Sequence, residues 1–233
     1  MAIQERITPG RIIAIDGPSG SGKSSVSKRV GRALGFLHVD SGALYRIMTW
    51  CCLQRGIDGT DPRAVESFSG QVRVEFSASG GEILYAVDGR VLTDEIRTPE
   101  INARISPISA IPAVRRRITA WLRALPSFGD LIIEGRDITT AVFPDTPARF
   151  FLTASAEARA LRRPREEVEK GIARQSEEEV KASLLARDKI DSTRKCAPLR
   201  KADGVIEIDS TALSLDEVVE RVISLLPAGW EVR

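Results

Sequence analysis

Short apolar runs alternate along the chain with longer stretches in which apolar residues recur every three or four positions. RIIAID (11–16), FLHVD (36–40), DLIIE (130–134), ARFFL (148–152) and VIEID (205–209) have strand length and read as buried parallel strands. Helical spacing runs from Lys23 to Leu34 and stops at Gly35; a second helix covers 43–55 and closes at Gly56. GIDGTDP then reads as a turn. Helical spacing returns after Pro99, after Pro112, in two helices around the charged stretch 155–195, and through 213–226. Between 70 and 97 the texture changes: QVRVEFSAS, EILYAVDG and RVLTDEI are separated by Gly80-Gly81 and Asp88-Gly89, which are hairpin signals.

Core strands alternating with helices predict an α/β fold, three layers around a central parallel five-stranded sheet, with 70–97 as a small antiparallel insertion. No repeat and no low-complexity linker divides the chain. One domain is expected over 9–228, its core comprising 9–69 and 98–228. A hydrophobic fraction of 42% over 233 residues suits one well-filled interior.

A net charge of +2 is too mild to argue for nucleic acid or a membrane surface, and no apolar run reaches the length of a membrane span. Three cysteines, Cys51, Cys52 and Cys196, form no disulfide framework and lack zinc spacing; Cys51 and Cys52 read as helix packing residues. A cytoplasmic protein is expected, and a monomer. The basic residues are mostly arginine, which either reflects genome composition or equips the chain for bidentate grip on phosphate.

GPSGSGKS, Gly17 to Ser24, matches G-x-x-x-x-G-K-[ST] between a strand and a helix. Gly17, Pro18, Ser19, Gly20, Ser21, Gly22, Lys23, Ser24 and Ser25 would cradle the phosphates of a nucleoside triphosphate. Backbone amides and a helix N-terminus make the anion nest, Lys23 reaches the β- and γ-phosphates, and the Ser24 hydroxyl ligates Mg²⁺. There is no N-K-x-D for guanine, and the chain is short for a motor ATPase. A small phosphotransferase needs an acceptor pocket and arginines around the transferring phosphate, and the chain looks built that way.

IPAVRRR (111–117) opens a helix with Pro112 and puts three arginines at its positive end, where something anionic is needed nearby or the face is solvated; Arg116 and Arg117 read as the solvated ones. Arg187, Asp191 and Arg194 share one helix face, as a plain ion pair or as a grip on a sugar phosphate. Arg159, Arg162, Arg163 and Arg165 crowd a segment that Pro164 should kink or end, either a solvated helix end or a basic cover. Arg136 and Asp137 follow DLIIE at the carboxyl end of a strand, where ligands bind in open α/β sheets. His38, inside a strand pattern, reads as structural.

IDGPSGSGKS, DSGALYR (40–46), DGRVLTDEIRTPEI (88–101), IPAVR, EGRDITTAVFPD (134–145), FFLTAS and ARDKIDSTRKCAPL (186–199) together resemble the bacterial cytidylate kinase family over nearly the whole chain. The resemblance implies a P-loop fold with an arginine-rich lid at about 157–190 and the acceptor site in the insertion. It implies phosphorylation of CMP and dCMP by ATP with Mg²⁺, without nucleic acid or membrane partners. Ser41, Gly42, Tyr45 and Arg46 would serve the acceptor, with Arg46 on its phosphate. Ser106, Arg115 and Asp137 match cytosine-reading positions, Arg136, Arg187 and Arg194 phosphate-gripping ones, Asp191 the ribose-binding one, and Arg162 a donor-side lid arginine. Asp16 and Glu134 are both open as the acid that orients waters on Mg²⁺. Thr139 stands where the family often has glycine.

Overall fold

The computed structural model describes residues 10–169 and 176–230, with side chains at all of these except 163–169 and 177. The strands are β1 Ile12–Asp16, β2 Leu37–Asp40, β3 Glu75–Ser79, β4 Glu82–Val87, β5 Arg90–Val91, β6 Leu131–Gly135, β7 Ala148–Thr153 and β8 Ile206–Asp209. The helices are α1 Lys23–Leu34, α2 Ser41–Gln54, α3 Pro62–Ser69, α4 Pro99–Ala110, α5 Pro112–Ala124, α6 Ala156–Glu169, α7 Glu177–Thr193 and α8 Leu215–Ser224.

The five apolar runs form the expected parallel strands, in the order β2-β6-β1-β7-β8. The insertion extends this sheet to eight strands. β4 runs parallel to β2 through the pair His38↔Glu82, and β3 and β5 flank β4 antiparallel.

Side-chain alternation assigns the two faces. Ile13 and Ile15 of β1 and Ile132 of β6 join Val26 and Val30 of α1 and Val218 and Val222 of α8 in one apolar cluster. Ala14, Leu131 and Ile133 join α2, α4, α5 and the insertion residues Ile83, Tyr85 and Leu92 in the other. Cys51 and Cys52 belong to this second interior as free thiols, as expected. Full burial of an Ile or Leu side chain contributes about 1.5–3 kcal/mol, so the insertion is anchored by the same core as the helices.

The helix starts follow local chemistry. Pro99 and Pro112 stand in the first turns of α4 and α5, Thr98 and Asp61 cap α4 and α3, and Ser176 and Ser214 make capping boxes on α7 and α8. α6 continues through Pro164, so of the kink or end read there, the end does not occur. Packing against α7 around Ala160, Val180 and Leu184 outweighs the local penalty. Residues 170–175, within the stretch expected as a lid, and the side chains of Arg163 and Arg165 lie outside the described residues.

Candidate active site

β1 delivers the chain into the glycine-rich loop at Gly17, where a Cβ would stand 2.0 Å from the Leu152 carbonyl oxygen; only glycine permits this approach. Gly22, in the left-handed region at φ 89°, starts α1 without a side-chain cap, which leaves the first amides of the helix to an anion. Lys23 is 5% exposed, and its Nζ donates to the Pro18 carbonyl at 2.7 Å. Burial, followed by the neighbouring Arg136, pushes its amine down to about 7, against the opposing pull of Glu134 and Asp16.

From this loop a cleft of about 720 Å³ extends along the carboxyl ends of β1, β2 and β6. Ser19, Gly20, Gly22, Lys23, Ser24 and Ser25 line it on the loop side. Ser41, Gly42, Tyr45 and Arg46 line it from α2, Ser106 from α4, Arg115 from α5, Arg136 and Asp137 beyond β6, and Arg187, Asp191 and Arg194 along α7. Gly17, Pro18, Ser21 and Arg162 are not among its walls. Arg162 instead donates to Ser210 Oγ at 2.9 Å and to the Ser210 carbonyl at 2.5 Å.

A run of alternating charges crosses the cleft. Arg115, 4% exposed, lies 5.2 Å over the ring of Tyr45 and pairs with Asp137 at 2.5 Å. Arg194 stands between Asp137, 3.8 Å away, and Asp191, 3.6 Å away. Arg136 Nε donates to Asp191 at 3.0 Å. The anion that the arginines of IPAVRRR call for is thus Asp137. Burial, followed by the charge of Asp137, pushes the Tyr45 phenol well up and keeps it neutral. Arg116 is exposed, as read. Arg117 differs: it is half-buried, bonded to the Val72 carbonyl and stacked on Trp121, because α5 turns that side toward the insertion.

Asp16 ends β1 fully buried. It accepts from Ile138 N at 2.9 Å, Thr139 N at 2.7 Å and Thr139 Oγ1 at 2.6 Å. These bonds anchor the π-helical turn Ile138–Val142 that follows Arg136 and Asp137. Burial raises the Asp16 carboxyl to about 6 despite the bonds from Thr139 and Ile138. Glu134 is different: its buried Oε1 has no hydrogen-bond partner. At the insertion, Asp40 caps α2, pairs with Arg97 at 2.9 Å, and accepts Tyr85 Oη on its carbonyl at 3.1 Å. Burial works against its charge, but Arg97 holds it below the usual carboxylate range.

Sequence reasoning missed Asp188. Its Oδ1 accepts the Ser19 amide at 3.2 Å, and its other oxygen pairs with Arg159, which also donates to the Ser19 carbonyl at 3.1 Å. The signal available was a second acid three residues before Asp191, on nearly the same side of α7. Arg97 and Asp40 were also missed as a pair, although both lie in motifs of the family resemblance.

The parallel sheet, the phosphate nest at the end of β1 and the arginine-lined cleft beyond β6 define a P-loop kinase. The chain belongs to the cytidylate kinase family: the family model described as "Cytidylate kinase" matches residues 13–228. It is 44% identical over 223 residues to a cytidylate kinase of Streptomyces avermitilis, covering 95% of this chain and 94% of that protein. With cytidylate kinases of Anoxybacillus flavithermus and Limosilactobacillus reuteri the identities are 41% and 39%, over 92% and 93% of this chain and 95% of each relative. No helix among the described residues is long and apolar enough to cross a membrane.

Proposed function

We propose that the chain transfers the γ-phosphoryl group of ATP to CMP and dCMP. The observation that carries this reading is the buried Arg115–Asp137 pair against Tyr45, with Ser106, in the same cleft as the phosphate loop. Cytosine presents an amino donor beside ring-nitrogen and carbonyl acceptors. The Asp137 carboxylate and the Ser106 hydroxyl accept from the amino group, and the Arg115 guanidinium donates to the acceptors. Uracil turns a carbonyl toward Asp137, and a buried carboxylate facing an acceptor costs several kcal/mol, on the order of 10³-fold in selectivity.

The acceptor phosphate is already an anion near neutral pH, so transfer needs no strong base. Its oxygen attacks the γ-phosphorus in line, the bond from that phosphorus to the β-phosphate oxygen breaks, and ADP leaves with the bonding electrons. Lys23 holds the β/γ oxygens, and the donor's anionic phosphates favour its charged form. Arg136, Arg187 and Arg194 spread the charge of the transferring group, Arg46 holds the acceptor phosphate, Ser41 and Gly42 line the acceptor's place with the Ser41 hydroxyl donating to the Glu134 carbonyl at 2.6 Å, and Asp191 takes ribose hydroxyls.

The oxygens of Ser24 and Glu134 suit a hard cation such as Mg²⁺, which keeps most of its ligands as water and phosphate. Glu134 lines the cleft beside Lys23 and Ser24, which supports it for this role over Asp16, whose oxygens are taken by the turn after Asp137 and which is not among the cleft walls. Bound there, the cation would neutralise charge on the β- and γ-phosphates.

The test is ADP formation with CMP, dCMP, UMP and AMP as acceptors, on the parent and on Asp137→Ala. Strong turnover of CMP and dCMP over UMP, with the preference collapsing in the variant, is expected. Equal use of UMP removes the role of Asp137, and no turnover with any of the four removes the activity.

A further inference from the structure

His38 and Glu134 place two buried polar atoms opposite each other on the face of the sheet that carries α1. His38 pairs in register with Ile132, so Glu134, two residues on, is its diagonal neighbour on the same face. His38 is 4% exposed, and its Nε2 lies 3.4 Å from Glu134 Oε1. Neither atom has a hydrogen-bond partner. Both residues line the cleft that holds Lys23 and Ser24. The main chain beneath the imidazole is held by the His38 N–H, which donates to the Gly81 carbonyl at 2.9 Å.

On its other side, His38 Nδ1 lies 4.0 Å from Glu82 Oε2. The two carboxylates are not equivalent. Glu82 is part-exposed and is already paired with Lys28 of α1 at 2.8 Å. Glu134 is buried and its Oε1 is unserved. A neutral imidazole has one N–H to give, and the tautomer protonated at Nε2 gives it to the carboxylate that lacks a donor. A movement of about half an ångström brings the pair within ordinary hydrogen-bond distance.

We propose that His38 is a positioning residue: its Nε2–H donates to Glu134 Oε1 and fixes the carboxylate, leaving the second oxygen for the cation that accompanies the donor. His38 moves no proton and touches no substrate. The inference rests on the reading of Glu134 as the acid that serves this cation.

The test compares His38→Phe, which keeps a ring and removes the donor, with His38→Gln, which keeps an N–H at similar reach. Two quantities are read: kcat and KM for CMP with ATP and Mg²⁺, and Mn²⁺ affinity in the presence of a non-hydrolysable ATP analogue, from the paramagnetic resonance of free Mn²⁺. The Phe variant should lose about tenfold or more in kcat and in Mn²⁺ affinity, with KM for CMP unchanged, and Gln should restore most of both. In a Glu134→Gln background His38→Phe should cost nothing further. If His38→Phe does not fold, His38→Asn, too short to reach Glu134, replaces it in the comparison with Gln.

Unchanged Mn²⁺ affinity, or losses that add in full to those of Glu134→Gln, would overturn the proposal. A parent enzyme that fails to phosphorylate CMP would remove the activity itself, whereas an active parent with additive losses removes only the role of His38.

Discussion

Asp188 on α7 accepts the backbone amide of Ser19 in the glycine-rich loop, so one carboxylate ties the helix pair α6–α7 to that loop. The same carboxylate holds Arg159, which is 6% exposed and also binds the Ala154 carbonyl at 3.0 Å. Asp188→Asn keeps the shape and removes the charge. It should cost about 1–3 kcal/mol, read by urea denaturation. Arg159→Met should cost less in the Asp188→Asn background than in the parent, since the ion pair is already weakened there, while its bonds to the Ala154 and Ser19 carbonyls are lost in both. Full additivity would show that each residue acts alone.

Thr139 donates to Asp16 through both its amide and its hydroxyl. The Asp16 carboxyl sits at about 6, above its ordinary 3.8. In this window the folded chain binds the proton and the unfolded chain does not, so stability falls as pH rises from about 4 to 6. The hydroxyl bond favours the charged form. Thr139→Val should therefore cost about 1.5–3 kcal/mol at pH 8 and less at pH 5, where Asp16 is protonated. Denaturation curves at the two pH values check this; an equal cost at both would contradict it.

Lys23 shows the opposite sign. Its amine is lowered to about 7 from 10.5, chiefly by burial. The unfolded chain then holds the extra proton between those values, and stability rises with pH across that interval. Lys23→Met should lose a hundredfold or more in turnover and yet be more stable than the parent at pH 7, on the order of 1–3 kcal/mol. The gain should shrink as pH approaches 10. A variant less stable than the parent at neutral pH would refute the assignment.

Arg115 divides its planar fork between Asp137 and the Ser109 carbonyl, 2.9 Å away, and lays its flat face over Tyr45. Lysine keeps the charge but neither geometry. Arg115→Lys should lower kcat/KM for CMP by about 10²-fold while leaving ATP binding within twofold, measured by initial rates and by titration with an ATP analogue. A lysine variant that matched the parent on CMP would show that charge alone suffices.

Most of the donor half was legible in the sequence. RIIAID, the glycines of GPSGSGKS and Gly35 bracket α1 at the residues where it begins and ends. Local chemistry decided those boundaries, and local chemistry can be read from a string. α3 went unread, since Pro62 to Ser69 follows a turn and is only eight residues long. The joining of β4 to β2 depends on one pairing between distant segments, and no periodicity reports that. Residue types at the site were legible through motifs. Their partners were less so: Asp188 meets Ser19 across 169 positions and Thr139 meets Asp16 across 123. A histidine in a strand pattern looked inert because the carboxylate beside it comes from another strand.

The two interiors divided by the sheet also govern how the sequence can drift. A change among the α1 and α8 residues needs compensation only from its own side, and so does a change beneath the insertion. β1 and β6 belong to both sides, sending neighbouring residues to opposite interiors. These are the strands that end in the phosphate loop and in Arg136–Asp137. The α1–α8 layer and the insertion-side layer can thus diverge at separate rates, and the residues that should tolerate least are the plain aliphatic ones of the two strands between them.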